Sequence, residues 1–243
     1  NYLAQLEEKD GYEDKNLINE VNEAGEHVNG YVYFKAKEIL HQGKIPAVLG
    51  GEHSTPFGLI DALHEKYKDL SILQIDAHMD LRNAYEGFEH SHASIMYNVL
   101  TRLKGCQLVQ VGIRDFAEEE YEKAKFLNER VKVFYDYFIQ KSLLEGRLWN
   151  AIADEIVSNL SSNVYISLDV DGLDPSLCPS TGTPVPGGLS YPQLIYLLRQ
   201  LNAKGKKIIG FDLNETGFSE YTNHDANVSA RLLYQLFLTS VKS

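Results

Sequence analysis

Asp76, His78 and Asp80 occupy alternate positions behind an apolar run that ends at Ile75. Along an extended chain, alternate side chains share a face. The three should therefore point one way, and Ala77 and Met79 the other. Two carboxylates and an imidazole converging at a strand end suit a divalent cation with mixed oxygen and nitrogen preference. Without a cation the cluster is costly, because like charges at close range oppose each other's ionisation. A polar turn after a strand explains one aspartate well and three alternating ligand types badly. A second apolar run, 164–168, ends in Asp169 and Asp171, again on one face, and Pro175 turns the chain soon after. Two strands that each end in ligands imply a shared site and more than one metal ion.

Elements that could position these groups are legible on either side. The chain has 243 residues, 44% of them hydrophobic, which suits one α/β domain with a large core. A formal net charge of −11 argues against nucleic acid or an acidic membrane surface as partner. Cys106 and Cys178 lie far apart and form neither a disulfide framework nor a paired-cysteine zinc motif. A reducing, cytoplasmic setting is the plain reading. No apolar run approaches the ~20 residues of a membrane span, and no signal peptide is visible. The first residue is Asn rather than Met, so the opening of the natural chain is expected to be missing.

The opening stretch, to about residue 15, is charged and aperiodic. Helical spacing of Val28, Val32, Ala36 and Ile39 predicts a helix over 16–42. A short strand, 45–49, runs into Gly50-Gly51-Glu52-His53-Ser54. Ser54 or Thr55 is placed to cap the next helix, with Pro56 in its first turn. Further strands are predicted at 70–76, 107–112, 131–135, 164–169 and 207–213, with helices at 93–103, 118–128, 149–160, 191–202 and 227–240. Asp225 is the expected cap of the last helix. Alternating strands and helices imply a mostly parallel sheet with helices on both faces. In such sheets ligands bind beyond the carboxyl ends of the strands. The polar motifs after Leu49, Ile75, Leu168 and Leu213 all fall at that edge.

In order along the chain stand Gly-Gly-Glu-His-Ser at 50–54, Asp-Ala-His-Met-Asp at 76–80, Ser-His-Ala-Ser at 91–94 and Ser-Leu-Asp-Val-Asp-Gly-Leu-Asp-Pro at 167–175. Gly-Thr-Pro-Val-Pro-Gly-Gly-Leu-Ser at 182–190 and Asp-Leu-Asn-Glu at 212–215 follow. This series resembles the arginase/agmatinase (ureohydrolase) family, most closely its bacterial agmatinases. The resemblance implies a three-layer αβα fold over a single domain, 1–243, with the first strands absent at the N-terminus. It implies two Mn²⁺ per chain, held by His53, Asp76, His78, Asp80, Asp169 and Asp171. Asp76 and Asp169 would bridge both ions, with His53 and Asp80 completing one and His78 and Asp171 the other. A bridging hydroxide would attack the guanidino carbon. Glu215 would hold the guanidinium, His92 would give a proton to the leaving amine, and Thr183 would lie on the substrate side. Family members of this kind form trimers or hexamers, so a homo-oligomer is expected.

The series departs from the family pattern at Glu52, where many members carry Asp, and in the short run of chain before the first motif. His90 competes with His92 for the proton-transfer role. Arg82 either contacts substrate or pairs with Glu86 or Glu89. His224 reads as part of a helix cap, and Cys178 as a small residue in a turn. A catalytically dead binding protein should have lost ligands, and none of the six is missing. A deacetylase-like single-zinc site would need fewer. Among guanidino substrates the negative charge favours agmatine, cleaved to putrescine and urea. An exposed Arg82 would instead favour guanidinobutyrate or formiminoglutamate; arginine is the remaining alternative.

Overall fold

The structure, a computed structural model, describes residues 15–243; the aperiodic opening stretch lies outside the described residues. Its helices are α1 (Lys15–His41), α2 (Phe57–Lys66), α3 (Ile95–Arg102), α4 (Glu118–Phe126), α5 (Asp136–Leu144), α6 (Trp149–Ser158), α7 (Tyr191–Ala203) and α8 (His224–Val241). Its strands are β1 (Ala47–Leu49), β2 (Leu70–Ile75), β3 (Gln107–Ile113), β4 (Val131–Tyr135), β5 (Asn163–Asp169) and β6 (Lys207–Asn214). The six strands form one sheet in the order β1-β6-β5-β2-β3-β4, and every pairing is parallel.

Strand alternation divides the core into two layers. Leu70 and Ile72 of β2 join Phe57, Leu59 and Leu63 of α2 and Met96 and Val99 of α3 on one side. Leu73 and Ile75 join Ile152 and Ile156 of α6, Leu197 of α7 and Leu236 of α8 on the other. Strands covered on both faces read as continuous apolar runs, and β2 is buried at all six positions. The three-layer αβα arrangement is the one expected.

Register decides where the site lies. Leu49 pairs with Leu213, Leu213 with Leu168, and Leu168 with Ile75. Four strands therefore end level, and Gly50, Asn214, Asp169 and Asp76 form the next row. This is the carboxyl edge of the sheet, where ligands bind in doubly wound folds.

Several local expectations need correction. Helix α5 has no counterpart among the expected helices: it follows β4 without a linker and buries only Asp136 and Ile139, so it carries little apolar periodicity. Val28 is 47% exposed, while Ala36 is buried and Val32 packs against the core as expected; Asn29 and Leu40 complete the inward stripe of α1. Neither Ser54 nor Thr55 caps α2, whose N-cap position is Pro56; the Thr55 hydroxyl donates to the Glu52 carbonyl at 2.8 Å. Asp225 lies inside the first turn of α8, and its Oδ2 accepts from the Ser180 N–H at 2.8 Å. It ties the long loop to the helix rather than capping it. Among the described residues no helix is long and apolar enough to cross a membrane.

Candidate metal centre

β2 ends at Ile75, so strict alternation stops before the ligands begin. A tight loop brings them back together, with Asp80 in the left-handed region at φ 57°. That conformation is costly for a residue with a Cβ and persists only where surroundings impose it. Asp171 sits on the single 3₁₀ turn after β5 (Val170–Gly172), its N–H donating to Asp169 Oδ1 at 2.9 Å. Gly172 follows because a Cβ there would fall 2.5 Å from the Asp76 nitrogen. Only glycine lets the two ligand loops approach this closely.

Two groups of donor atoms converge. His53, Asp76 and Asp80 form one, and Asp76, His78 and Asp171 the other. His53 Nδ1 lies 3.0 Å from Asp76 Oδ2, 3.0 Å from Asp80 Oδ2 and 3.4 Å from Asp169 Oδ2. His78 Nδ1 lies 3.0 Å from Asp171 Oδ2 and 3.6 Å from Asp76 Oδ1. Asp76 thus offers a different oxygen to each group. Asp169 approaches the first group without belonging to either set.

The arrangement fits a pair of dications on its own chemistry. His53 Nδ1 is buried and has no hydrogen-bond partner, although three carboxylate oxygens surround it. Its other nitrogen, Nε2, is 2.8 Å from Ser167 Oγ, which donates to Asp212 Oδ1 at 3.2 Å. Such a contact orients the ring and leaves Nδ1 facing the carboxylates, as in metal-bound histidines. His78 has Asp115 Oδ2 at 3.8 Å from its outer nitrogen.

Electrostatics point the same way. Burial pushes the Asp80, Asp169 and Asp171 carboxyls above their usual range, and neighbouring carboxylates add to this. Asp76 is driven below its usual range despite burial, because His53 and His78 both contact it. Burial opposes charge on His53, but Asp76 and Asp80 outweigh it and raise its pKa. Against the same opposition, Asp171 and Asp76 bring His78 to about 11. Burial brings Glu215 to about 7. The protein alone therefore balances its carboxylates with protons, and cations would replace those protons.

A pocket of about 280 Å³ opens beside the clusters, lined by His78, Asp80, Arg82, His92, Asp115 and Thr183 among others. The His92 side chain is 48% exposed there, with Nδ1 3.8 Å from Glu52 Oε2. His90 turns away: its side chain is 3% exposed and held by Asn29 and Glu26. Thr183 Oγ1 donates to Asp171 Oδ2 at 3.3 Å. Arg82 pairs with Glu119 at 3.1 Å and Glu120 at 3.2 Å, not with Glu86 or Glu89. Glu215 does not line this pocket; it follows β6 at φ 61°, and its Oε1 accepts from the His53 N–H at 2.8 Å. His224 opens α8 with Nε2 3.1 Å from the Ser176 carbonyl, and Cys178 is buried.

Sequence reasoning missed the groups that hold the candidate ligands. Gln74 Nε2 donates to Asp76 Oδ2 at 2.8 Å and Asp80 Oδ2 at 3.3 Å, and Gln74 Oε1 accepts from Gln110 at 2.7 Å. Arg114 donates to the carbonyls of Gly112, Asp171, Leu173 and Val185, joining the Asp171 turn to the loop that carries Thr183. Asp212 accepts from the Leu168 N–H, Asn214 and Tyr165. The signal available was a polar side chain inside an apolar strand: Gln74, Gln110 and Asp212 are all 0% exposed. A buried polar group needs a partner.

Fold and site together define an αβα protein with two adjoining cation-type clusters at the carboxyl edge of a parallel sheet. The chain belongs to the arginase family, whose model matches residues 7–239. It is 42% identical over 181 residues to the N(1)-aminopropylagmatine ureohydrolase of Thermus thermophilus, covering 74% of this chain and 58% of that protein. It therefore spans less than two thirds of that relative. It is 31% identical over 206 residues to the agmatinase of Bacillus subtilis, covering 84% and 67%. It superposes on the agmatine ureohydrolase of Thermoplasma volcanium with a TM-score of 0.75 at 30% identity, covering 90% of this chain and 70% of that one.

Proposed function

We propose that this chain hydrolyses the guanidino C–N bond of agmatine, releasing putrescine and urea, with two Mn²⁺ per chain. His53, Asp76 and Asp80 would hold one ion, His78, Asp76 and Asp171 the other, with Asp169 contributing beside His53. Bound dications supply water activated as a nucleophile near neutral pH and a positive charge opposite the reacting carbon. Everything else falls to side chains. The Glu215 carboxylate has Oε2 left to accept from the guanidinium, a charge-assisted contact. His92, half exposed at the pocket, would hand a proton to the departing amine nitrogen and recover it from solvent. Thr183, against Asp171, would border the substrate.

The observation that carries the substrate is the state of Arg82. Its guanidinium is engaged by Glu119 and Glu120, so it is not free to grip a carboxylate tail. The exposed Asp115, whose Oδ2 lies 3.8 Å from His78 Nε2, adds negative charge at the pocket, which suits an ammonium tail. The likeness to an aminopropylagmatine ureohydrolase supports a second reading, an agmatine extended at the amine, which the same features accommodate. Two buried free thiols accord with a reducing cytoplasm, and assembly into a homo-oligomer forms part of the proposal.

Urea release from Mn²⁺-loaded protein, measured across a panel of guanidino compounds, tests this. Agmatine or its aminopropyl derivative should exceed arginine at least about tenfold in kcat/KM, about 1.4 kcal/mol of discrimination. Arginine matching agmatine would refute the reading of Arg82. Guanidinobutyrate or formiminoglutamate outrunning both would show that the site reads a carboxylate.

A further inference from the structure

Helix α1 carries a polar stripe where it meets the loop over residues 84–92. Asn22, Glu26 and Asn29 stand four and three residues apart, which places them on one helix face. Asn22 clamps the loop backbone from both ends of its amide. Its Nδ2 donates to the Gly87 carbonyl at 3.1 Å, and its Oδ1 accepts from the Glu89 N–H at 2.8 Å. His90 is gripped by both ring nitrogens: Nδ1 lies 3.0 Å from Asn29 Nδ2, and Nε2 lies 3.0 Å from Glu26 Oε1. Arg102 shares that Glu26 oxygen at 3.1 Å. Gly25 makes the approach possible, since a Cβ there would lie 2.8 Å from His90 Cβ.

The loop needs such a grip. Ala84 and Glu86 both adopt the left-handed region, at φ 50° and 55°, with Gly87 at 90°. Residues with a Cβ avoid that region unless the surroundings over-determine it. On its other flank Asn98 donates to the Glu89 carbonyl at 2.8 Å, and Ser94 Oγ accepts from the Tyr85 N–H at 3.3 Å and from the Ser91 hydroxyl at 3.0 Å. What the loop delivers is Tyr85 and His92, whose rings pack edge to face with centroids 6.0 Å apart at the pocket.

We propose that Asn22, Glu26 and Asn29 of α1, with Gly25, are positioning residues that lock this loop and so aim His92 into the pocket. The proposal rests on the reading of His92 as the proton donor. It places a requirement of the reaction in a helix that contributes no side chain to the pocket.

The test uses full-length Mn²⁺-loaded protein carrying Asn22→Ala or Gly25→Ala, each alone and together with His92→Asn. Gly25→Ala is informative because alanine favours helices over glycine. Either single change should lower kcat about 5–50-fold, the scale of a slightly misplaced group, with metal content and KM nearly unchanged. Amide exchange over 84–92 should quicken about tenfold while α2 and β2 stay protected. With His92→Asn already present, neither change should lower kcat further. Equal losses in both backgrounds, or an unchanged kcat with unchanged loop exchange, would overturn the proposal. If His92→Asn alone leaves kcat intact while Asn22→Ala still loosens the loop, the proton-donor role fails and the clamp itself stands.

Discussion

Replacing Gln74 by leucine should weaken one metal position and spare the other. Gln74 is fully buried and touches Oδ2 of both Asp76 and Asp80, the two oxygens that face His53 Nδ1. The oxygens of the second cluster are held elsewhere. Asp76 Oδ1 accepts from the His78 N–H at 2.7 Å, and Asp171 Oδ2 from the Thr183 hydroxyl at 3.3 Å. Leucine keeps the volume and removes the donor, so the core should close around it with little strain. Gln110 would lose its bond to Gln74 but keep its donation to the Met79 carbonyl at 2.7 Å. Loss of a group that orients ligands costs about 10–100-fold in metal affinity, which is about 1.4–2.7 kcal/mol. Equilibrium dialysis and electron paramagnetic titration with Mn²⁺, fitted to two sites, read this directly. One Kd should rise by that factor and the other by less than about threefold. Two unchanged constants, or two that rise together, would refute the assignment of Gln74 to the His53 cluster.

Other expectations follow from the same geometry. Metal-free protein should lose stability as pH rises. Glu215 has a folded pKa of about 7 against an ordinary 4.5, so the fold holds that proton more tightly than the unfolded chain between those values. Its contribution therefore disappears over that window, at most about 3 kcal/mol. His78, raised from 6.5 to about 11, contributes fully below 6.5 and loses its contribution above it, in the same direction. Melting in chelator should show Tm falling from about pH 5 to about pH 8, with Mn²⁺ giving its largest rescue at the upper end; a rise in metal-free Tm would contradict it. Arg114→Lys should destabilise by about 2–4 kcal/mol, since an ammonium cannot span four carbonyls; a denaturant midpoint within error of the parent would sink the clamp role. His92→Asn should lower kcat about 10²–10⁴-fold with metal content intact, and a larger loss for His90→Asn would reverse their roles.

The sequence alone determined which side chains gather at the candidate metal centre. Aspartate and histidine clustered just behind apolar strands say what can be held, because the residue types are fixed by the chain even where, as after Ile75, a loop rather than strand alternation brings them together. The alternation of strands and helices determined the layered fold. Strand ends marked the edge that would carry the site. Tertiary structure decided how those groups divide and what supports them. Asp76 serves two clusters because β2 lies beside β5 in a register that sets Ile75 against Leu168. Arg82 is taken by Glu119 and Glu120 because α4 packs against the ligand loop; nothing near Arg82 in sequence foretells partners 37 and 38 residues away. The separation of His90 from His92 came from α1, more than sixty residues earlier, and not from their shared loop. Hydrogen bonds and ion pairs are satisfied by whichever polar group the packing brings within about 3 Å, and chain distance places no limit on which group that is.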